Sequence, residues 1–397
     1  MHENIRVPHR PLGEIAQLVR GNGMPKSELT DAGVGAIHYG QIYTKYRTWA
    51  TDTCSFVSEE SVAKLAKANP GDIIITNTSE NLADVGKAVA WLGSEPIVTG
   101  GHATVIRHQM EPKFLSYWFQ TEAFAVQKRA LATGTKVIDV SARQLEKVLV
   151  PVPPLEVQRE IVRILDHFTE LEAELEAELE ARTRQYAHFR GELLDPTHMD
   201  SARWSTLGDI SLRVSSGATP TAGRAEYYDA GEIPWLRTQE VRFTDIWDTE
   251  MRITERALKE TATKWIPANC VIVAISGATA GRSAVNRIPM TTNQHCCNLE
   301  IDPEQANFRY VFYWVRNHYD QLKALGQGAR SDLNSGLIKA FPIVLPSLDE
   351  QQRIVDALDK FDALVTDLSI GLPAELAARR KQYEYYRDKL LTFEELV

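Results

Sequence analysis

The chain repeats itself, and that constrains its fold more than any other feature. Leu12-Gly13-Glu14-Ile15 returns as Leu207-Gly208-Asp209-Ile210, an offset of 195. PPLEVQREIVRILDHF (Pro153–Phe168) returns as PSLDEQQRIVDALDKF (Pro346–Phe361) at offset 193. RQYAHFRGELL (Arg184–Leu194) returns as KQYEYYRDKLL (Lys381–Leu391) at offset 197. A unit of about 195 residues taken twice fills the 397-residue chain, so any fold must be built from two like halves.

Each half reads as a globular part followed by a helix. PGDIIIT (Pro70–Thr76) and PANCVIVAI (Pro267–Ile275) have the β-branched, turn-bounded pattern of buried strands. FLSYWFQ (Phe114–Gln120) and YVFYWVR (Tyr310–Arg316) occupy matching places and read as short helices. PVPP (Pro151–Pro154) and FPIVLP (Phe341–Pro346) close the globular parts, since Pro suits an extended lead into a helix start. The expected class is α/β: two mixed domains, residues 1–154 and 201–346, separated by helical segments at 155–200 and 347–397.

The helical segments carry apolar stripes. In the first, Ile161, Ile164, Phe168, Leu171, Leu175, Leu179, Tyr186, Phe189 and Leu193 recur every three or four residues, interrupted by Arg182. The second runs through Ile354, Ala357, Phe361, Leu364, Leu368, Leu372, Leu376, Tyr383, Tyr386 and Leu390, with Arg379 interrupting and one extra four-residue step. Such a step is a stutter that keeps the stripe on one face. Gly371 and Pro373 fall at the insertion and predict a kink or break. Two long seams in one chain call for an antiparallel coiled-coil pairing with pseudo-twofold symmetry. Ile161, Phe168, Leu175 and Tyr186 of the first segment and Ile354, Phe361, Leu368 and Tyr383 of the second would be the helix-pairing residues. In the alternative, each helix lies across its own domain.

Charge separates along the same boundaries. The chain has 44 Lys plus Arg and 53 Asp plus Glu, net −9, which taken whole argues against a phosphate-rich partner. Residues 1–154 and 201–346 nonetheless hold 16 basic and 15 acidic side chains each. The acid excess lies on the helices: 12 acidic against 5 basic at 155–200, and 11 against 7 at 347–397. Three tandem ELEA copies (Glu170–Ala181) supply much of it. Like charges four apart cost about 0.2–0.5 kcal/mol per pair, so a solvated face is expected, with some acids meeting Arg379, Arg380 or Lys381 of the other segment.

No apolar run approaches the ~20 residues of a membrane span, and MHENIRVPHRP lacks the apolar core of a signal peptide; a cytoplasmic, membrane-free protein is expected. Cys54, Cys270, Cys296 and Cys297 are too few for a disulfide scaffold. Cys270, His295, Cys296 and Cys297 lack the two- to four-residue spacing of metal-ligand pairs and read as core thiols. Glu111-Pro112-Lys113 resembles the carboxylate-x-lysine of some nucleases but has no partner carboxylate, and reads as a chance match. There is no G-x-x-x-x-G-K-[ST], no G-x-G-x-x-G and no Asn/Asp-Pro-Pro-aromatic motif.

The order domain, helix, domain, helix, carrying PPLEVQREIVRILD, PSLDEQQRIVDALDKFDAL, GLPAELAARRKQYEYYRDKLLTF and a four-residue helical repeat, resembles the DNA-specificity subunit of type I restriction-modification systems over essentially the whole chain. The resemblance implies a non-catalytic subunit with two target-recognition domains, each reading half of a split double-stranded DNA site. It also implies helices that dock two methyltransferase subunits, with restriction/translocase subunits joining them. S-adenosylmethionine, ATP and Mg would belong to those partners. The rival readings are a coiled-coil scaffold with protein- or glycan-binding domains, and a stand-alone nuclease.

Base edges are read by Arg, Asn and Gln, and phosphates are held by Lys, Arg, Ser and Thr. Polar segments in matching places supply the candidates. In the first domain these are His38, Tyr39, Gln41, Lys45 and Arg47, then Asn77, Ser79, Asn81, His102 and Lys136. In the second they are Arg237, Thr238, Gln239, Thr279, Arg282, Asn293, Gln294 and Arg330. Unlike residues in the two sets imply unlike half-sites.

Overall fold

The computed structural model describes residues 6–199, 202–326, 332–366 and 371–396. Duplication extends to topology. In the first half a five-stranded sheet runs in the order Ala16–Arg20, Ala103–His108, Ile73–Thr76, Ala88–Trp91, Trp49–Ala50. A four-stranded sheet runs Phe56–Val57, Val34–Ile37, Ile97–Thr99, Ala66–Ala68. The second half repeats both orders with Ser211–Ser216, Cys296–Ile301, Val271–Ala274, Ser283–Asn286, Asp245–Ile246, and with Arg252–Ile253, Ile233–Leu236, Met290–Thr292, Trp265–Ile266. The strand directions correspond too: Val34–Ile37 pairs parallel to Ile97–Thr99, as Ile233–Leu236 does to Met290–Thr292.

The two β-branched runs are the central strands. Every side chain of Ile73–Ile75 and Val271–Val273 is fully buried because both sheet faces are covered. With period 2, Ile73 and Ile75 enter a core with Phe114, Tyr117 and Trp118, while Ile74 enters a separate core with Ile37, Ala66 and Trp91. Val271 and Val273 likewise join Tyr310, Tyr313 and Trp314, and Ile272 joins Leu236, Ile266 and Met290.

The aromatic runs form helices Pro112–Trp118 and Phe308–Asn317. Glu111 caps the first, accepting from Phe114 N at 2.6 Å, with Pro112 in the first turn where its missing N–H costs nothing. The nuclease-like tripeptide is therefore a helix cap. Cys270, Cys296 and Cys297 are buried. Burial raises the Cys270 thiol to about 12 and that of Cys297 to about 11. Consecutive Cys296 and Cys297 point to opposite sheet faces and lie in different cores.

The first helical segment is one helix, Leu155–Leu193. The second is two, Leu348–Thr366 and Leu372–Leu391, with Gly371 a bend just before the second and Pro373 in its first turn. Leu368 lies outside the described residues. The stripe shifts near the break: Leu364 is 38% exposed while Val365 is 7%. Burial there follows Ile354, Leu358, Phe361 and Val365, because the face is set by the domain as well as by the other helix. No helix among the described residues is long and apolar enough to cross a membrane.

Two units result, Met1–Glu176 with Glu375–Val397, and Ala177–Ala374. In the first unit, Phe168 stacks on Tyr386 at 5.5 Å between ring centroids. Further along, Arg380 pairs with Glu172 at 2.8 Å and Glu176 at 2.5 Å. As one segment's numbering rises the other's falls, so these two pieces run antiparallel. In the second unit Phe189 stacks on Phe361 at 5.4 Å, and Tyr186, Ile354, Val355 and Leu358 share one core. Ile161 is buried in the first unit's core, Tyr383 packs against that core, and Leu175 is half-buried.

A repeated polar joint fixes each domain to its helix. Buried Gln158 accepts from Glu111 N at 2.8 Å and donates to Pro153 O at 2.8 Å. Gln351 does the same with Asn307 N at 2.8 Å and Pro346 O at 2.9 Å. Two helical turns later, Asp166 accepts from Tyr117 and Lys113, both at 2.7 Å. Asp359 accepts from Tyr313 and Arg309.

Candidate nucleic-acid interface

In each domain the polar segments converge beyond the same end of the central strand. In the first, Asn77 N donates to His102 O at 2.9 Å and Val140 N to Asn77 O at 2.8 Å. These bonds tie TNTSEN, TGGH and the strand following Gly134–Lys136. In the second, Ile275 N donates to His295 O at 2.9 Å and Leu333 N to Ile275 O at 2.8 Å, the same lattice. Ala218 N to Thr292 O at 3.0 Å and Asn293 N to Leu236 O at 2.9 Å bring in SSGATP and WLRTQE.

Each cluster carries a helical turn directly after a strand of its four-stranded sheet, closed by reciprocal bonds in the first domain and by a single side-chain bond in the second. His38 Nδ1 accepts from Gly40 N at 3.1 Å while Gln41 Oε1 accepts from His38 N at 2.9 Å. In the second domain Glu240 Oε1 accepts from Arg237 N at 3.1 Å. The same backbone position thus presents an imidazole in one domain and a guanidinium in the other. Burial, helped by Lys26 and His102, lowers the His38 pKa. Its Nδ1 accepts a backbone hydrogen bond, which favours the neutral ring.

The candidates divide by what their polar atoms already do. Asn77 is fully buried, with Nδ2 donating to Val140 O at 2.7 Å and Oδ1 accepting from Thr104 at 2.8 Å; it builds the platform and leaves nothing for a base edge. Ser79 and Asn293 are also buried, and Gln41 Oε1 is engaged by His38 N and Ser55. Asn81 is exposed but closes a turn with Asp84. Arg237 is held by Glu250 at 2.9 Å, an oxygen shared with Gln239 at 3.3 Å. Arg47 pairs with Glu176 of the long helix. Sequence spacing cannot reveal such pairings.

What stays presented is Tyr39 over His102 at 4.9 Å, with His102 Nδ1 bonded to Thr78 at 2.9 Å, and exposed Lys45 and Lys136. In the second domain Thr238 and Thr279 are half-buried, and Thr219 donates to exposed Gln294. Half-buried Arg282 makes no side-chain hydrogen bond among the described residues. Arg330 lies outside the described residues.

Sequence reasoning missed Arg20, exposed at the end of its strand with Nε donating to Gly101 O at 2.5 Å. Ser216 occupies the matching ladder position. The following residue is glycine in both halves because a Cβ would strike the neighbouring strand: Gly21 would meet Thr99 O at 2.8 Å and Gly217 Thr292 O at 1.8 Å. Matching the two glycines would have exposed Arg20.

Two copies of one α/β module, each ending in a cluster of polar loops and each jointed to long paired helices, make up the chain. The family model for the type I restriction modification DNA specificity domain matches residues 7–181 and again 202–378. The chain belongs to the type I restriction-modification specificity subunits. It is 35% identical over 292 residues to the type I restriction enzyme EcoR124I/EcoR124II specificity subunit of Escherichia coli, covering 71% of this chain and 70% of that one. A putative type I restriction enzyme specificity subunit of Haemophilus influenzae, S.HindORF215P, is 27% identical over 98% of this chain and 97% of its own. The fold matches a chain from a structure of type I R-M complex assembly and conformational transition, with a TM-score of 0.69 at 15% identity over 98% of this chain and 99% of that one.

Proposed function

We propose that this chain is the non-catalytic reading subunit of its complex. Residues 1–154 and 201–346 each contact one half of a bipartite, asymmetric double-stranded DNA site. The segments 155–200 and 347–397 hold the domains and dock two methyltransferase subunits, with restriction/translocase subunits joining that core. S-adenosylmethionine, ATP and Mg act in those partners, and the complex works in the cytoplasm. The observation that carries this reading is the loop cluster recurring at the same topological place in both halves with different side chains.

Unlike side chains predict unlike half-sites. Tyr39 and His102 offer apolar edges and single hydrogen bonds, whereas Arg282 offers the fork that pairs with guanine. Single-molecule methylome sequencing of a host carrying the chain with its methyltransferase tests this. A split, asymmetric methylated motif is expected, and Arg282→Ala should relax one half only. A continuous motif, or none, would overturn the reading. Arg237→Ala is the poorer probe, because it also frees Glu240 and Glu250.

A further inference from the structure

The acidic ELEA face does more than keep a spacer helix soluble. In the first unit, Glu176 accepts from both Arg47 of the first domain and Arg380 of the other helical segment. Arg380 is bidentate in effect, reaching Glu172 as well. Desolvation works to raise the Glu176 carboxyl, yet the hydrogen bonds and charges of Arg47 and Arg380 leave it below the ordinary carboxylate value. These groups line one wall of a cleft of about 650 Å³ that also takes in Tyr43 and Tyr46. Arg47 closes the segment His38–Arg47 whose other end carries the Tyr39–His102 pair. In the second unit Val365 stands in the place of Glu172 and is buried, and the second domain reaches its helix through Arg316 and Asp362, 2.6 Å apart and largely shielded from solvent.

We propose that Glu176 is a positioning residue: through Arg47 it sets the pose of the first domain's reading segment on the helix pair, and does so more salt-dependently than the shielded Arg316–Asp362 pair of the second domain. This rests on the reading of the loop clusters as DNA-contacting. Exposed ion pairs are individually weak and screened by salt, so the positioning is graded rather than all-or-none.

Full-length wild type, Glu176→Gln, Arg47→Gln and Arg47→Lys are compared by amide hydrogen exchange without DNA, at low and high NaCl. Wild type should protect residues 42–48 more at low salt, and the two Gln variants should exchange about fivefold faster there, the scale of a network of surface pairs. Arg47→Lys should retain most of the protection. The second domain should not respond to these substitutions and should change less with salt. Equal exchange in all four proteins overturns the clamp. The same proteins are then bound to duplexes carrying the methylome-defined site with either half scrambled. Glu176→Gln should lose about fivefold discrimination at the first half-site and none at the second, again the scale of such a network. Altered exchange with unaltered discrimination overturns the positioning role, whereas failure of the wild type to prefer the intact site overturns the DNA reading itself.

Discussion

The two units share a joint and differ in a seam. Gln158 and Gln351 bond in the same way, and Tyr117–Asp166 recurs as Tyr313–Asp359. Further along the helices the first unit has Arg380 between Glu172 and Glu176, whereas among the described residues of the second Val365 replaces Glu172 in an apolar core on which Leu179 packs. A buried polar joint must be matched as a set, because one unmatched partner costs the full desolvation of the other. A seam can be filled by ions or by hydrocarbon without disturbing the rest. The difference predicts that the units share their large energetic terms and diverge in the small, salt-dependent ones.

The largest effects should therefore be alike in the two halves. Trp118 and Trp314 are 1% and 2% exposed at matching positions, and truncating a buried Trp costs about 3–5 kcal/mol. Trp118→Ala and Trp314→Ala should each lower calorimetric stability by that amount, with exchange rising mainly in the unit that carries the change. Markedly unequal losses would break the equivalence of the two cores. Next come the joints. Gln158→Leu and Gln351→Leu each strand a backbone N–H and a carbonyl, at about 1–3 kcal/mol per unmatched group. Denaturant titration should find the two variants within about 1 kcal/mol of each other, the usual spread of context.

Much of this equivalence was visible in the sequence, because the joint residues sit in the repeated helical motif: Leu155, Gln158 and Ile161 against Leu348, Gln351 and Ile354. The strands PGDIIIT and PANCVIVAI were equally legible, since continuous β-branched runs bounded by turns leave few alternatives. The candidate interface was less so. Its segments could be found from polarity, yet nothing local distinguishes exposed Lys45 from Asn77, whose amide is consumed by Val140 and Thr104 far along the chain. Arg20 was hidden because its role depends on a ladder register. Leu364 was placed on the seam by a strict heptad, while burial by the domain rotated the face to Val365.

The seams separate the units under salt. Val365→Ala removes buried methyl groups and should cost about 1–2 kcal/mol, with little dependence on ionic strength. Arg380→Ala should cost below about 1 kcal/mol, falling toward zero as the Debye length shrinks to about 3 Å near 1 M salt. Urea titrations at two salt concentrations check both. A salt-dependent Val365→Ala or a salt-independent Arg380→Ala would contradict the assignment of the two seams.

The smallest expected difference is in pH response at the matched turns. His38 is buried, and burial together with Lys26 and His102 holds its pKa below the ordinary value near 6.5. Protonation is then disfavoured in the folded turn relative to the unfolded chain. The stabilisation is intact above the ordinary histidine value and is lost as pH falls through the lowered one. At the same backbone position the second domain has Arg237 in place of an imidazole. After correction for intrinsic rates, amide exchange at residues 39–42 should quicken as pH falls through the weakly acidic range, while residues 238–240 should not respond. His38→Asn keeps a side chain able to cap the turn and removes the titration, so it should flatten the first profile to match the second. A pH response surviving in that variant would show that His38 is not the group responsible.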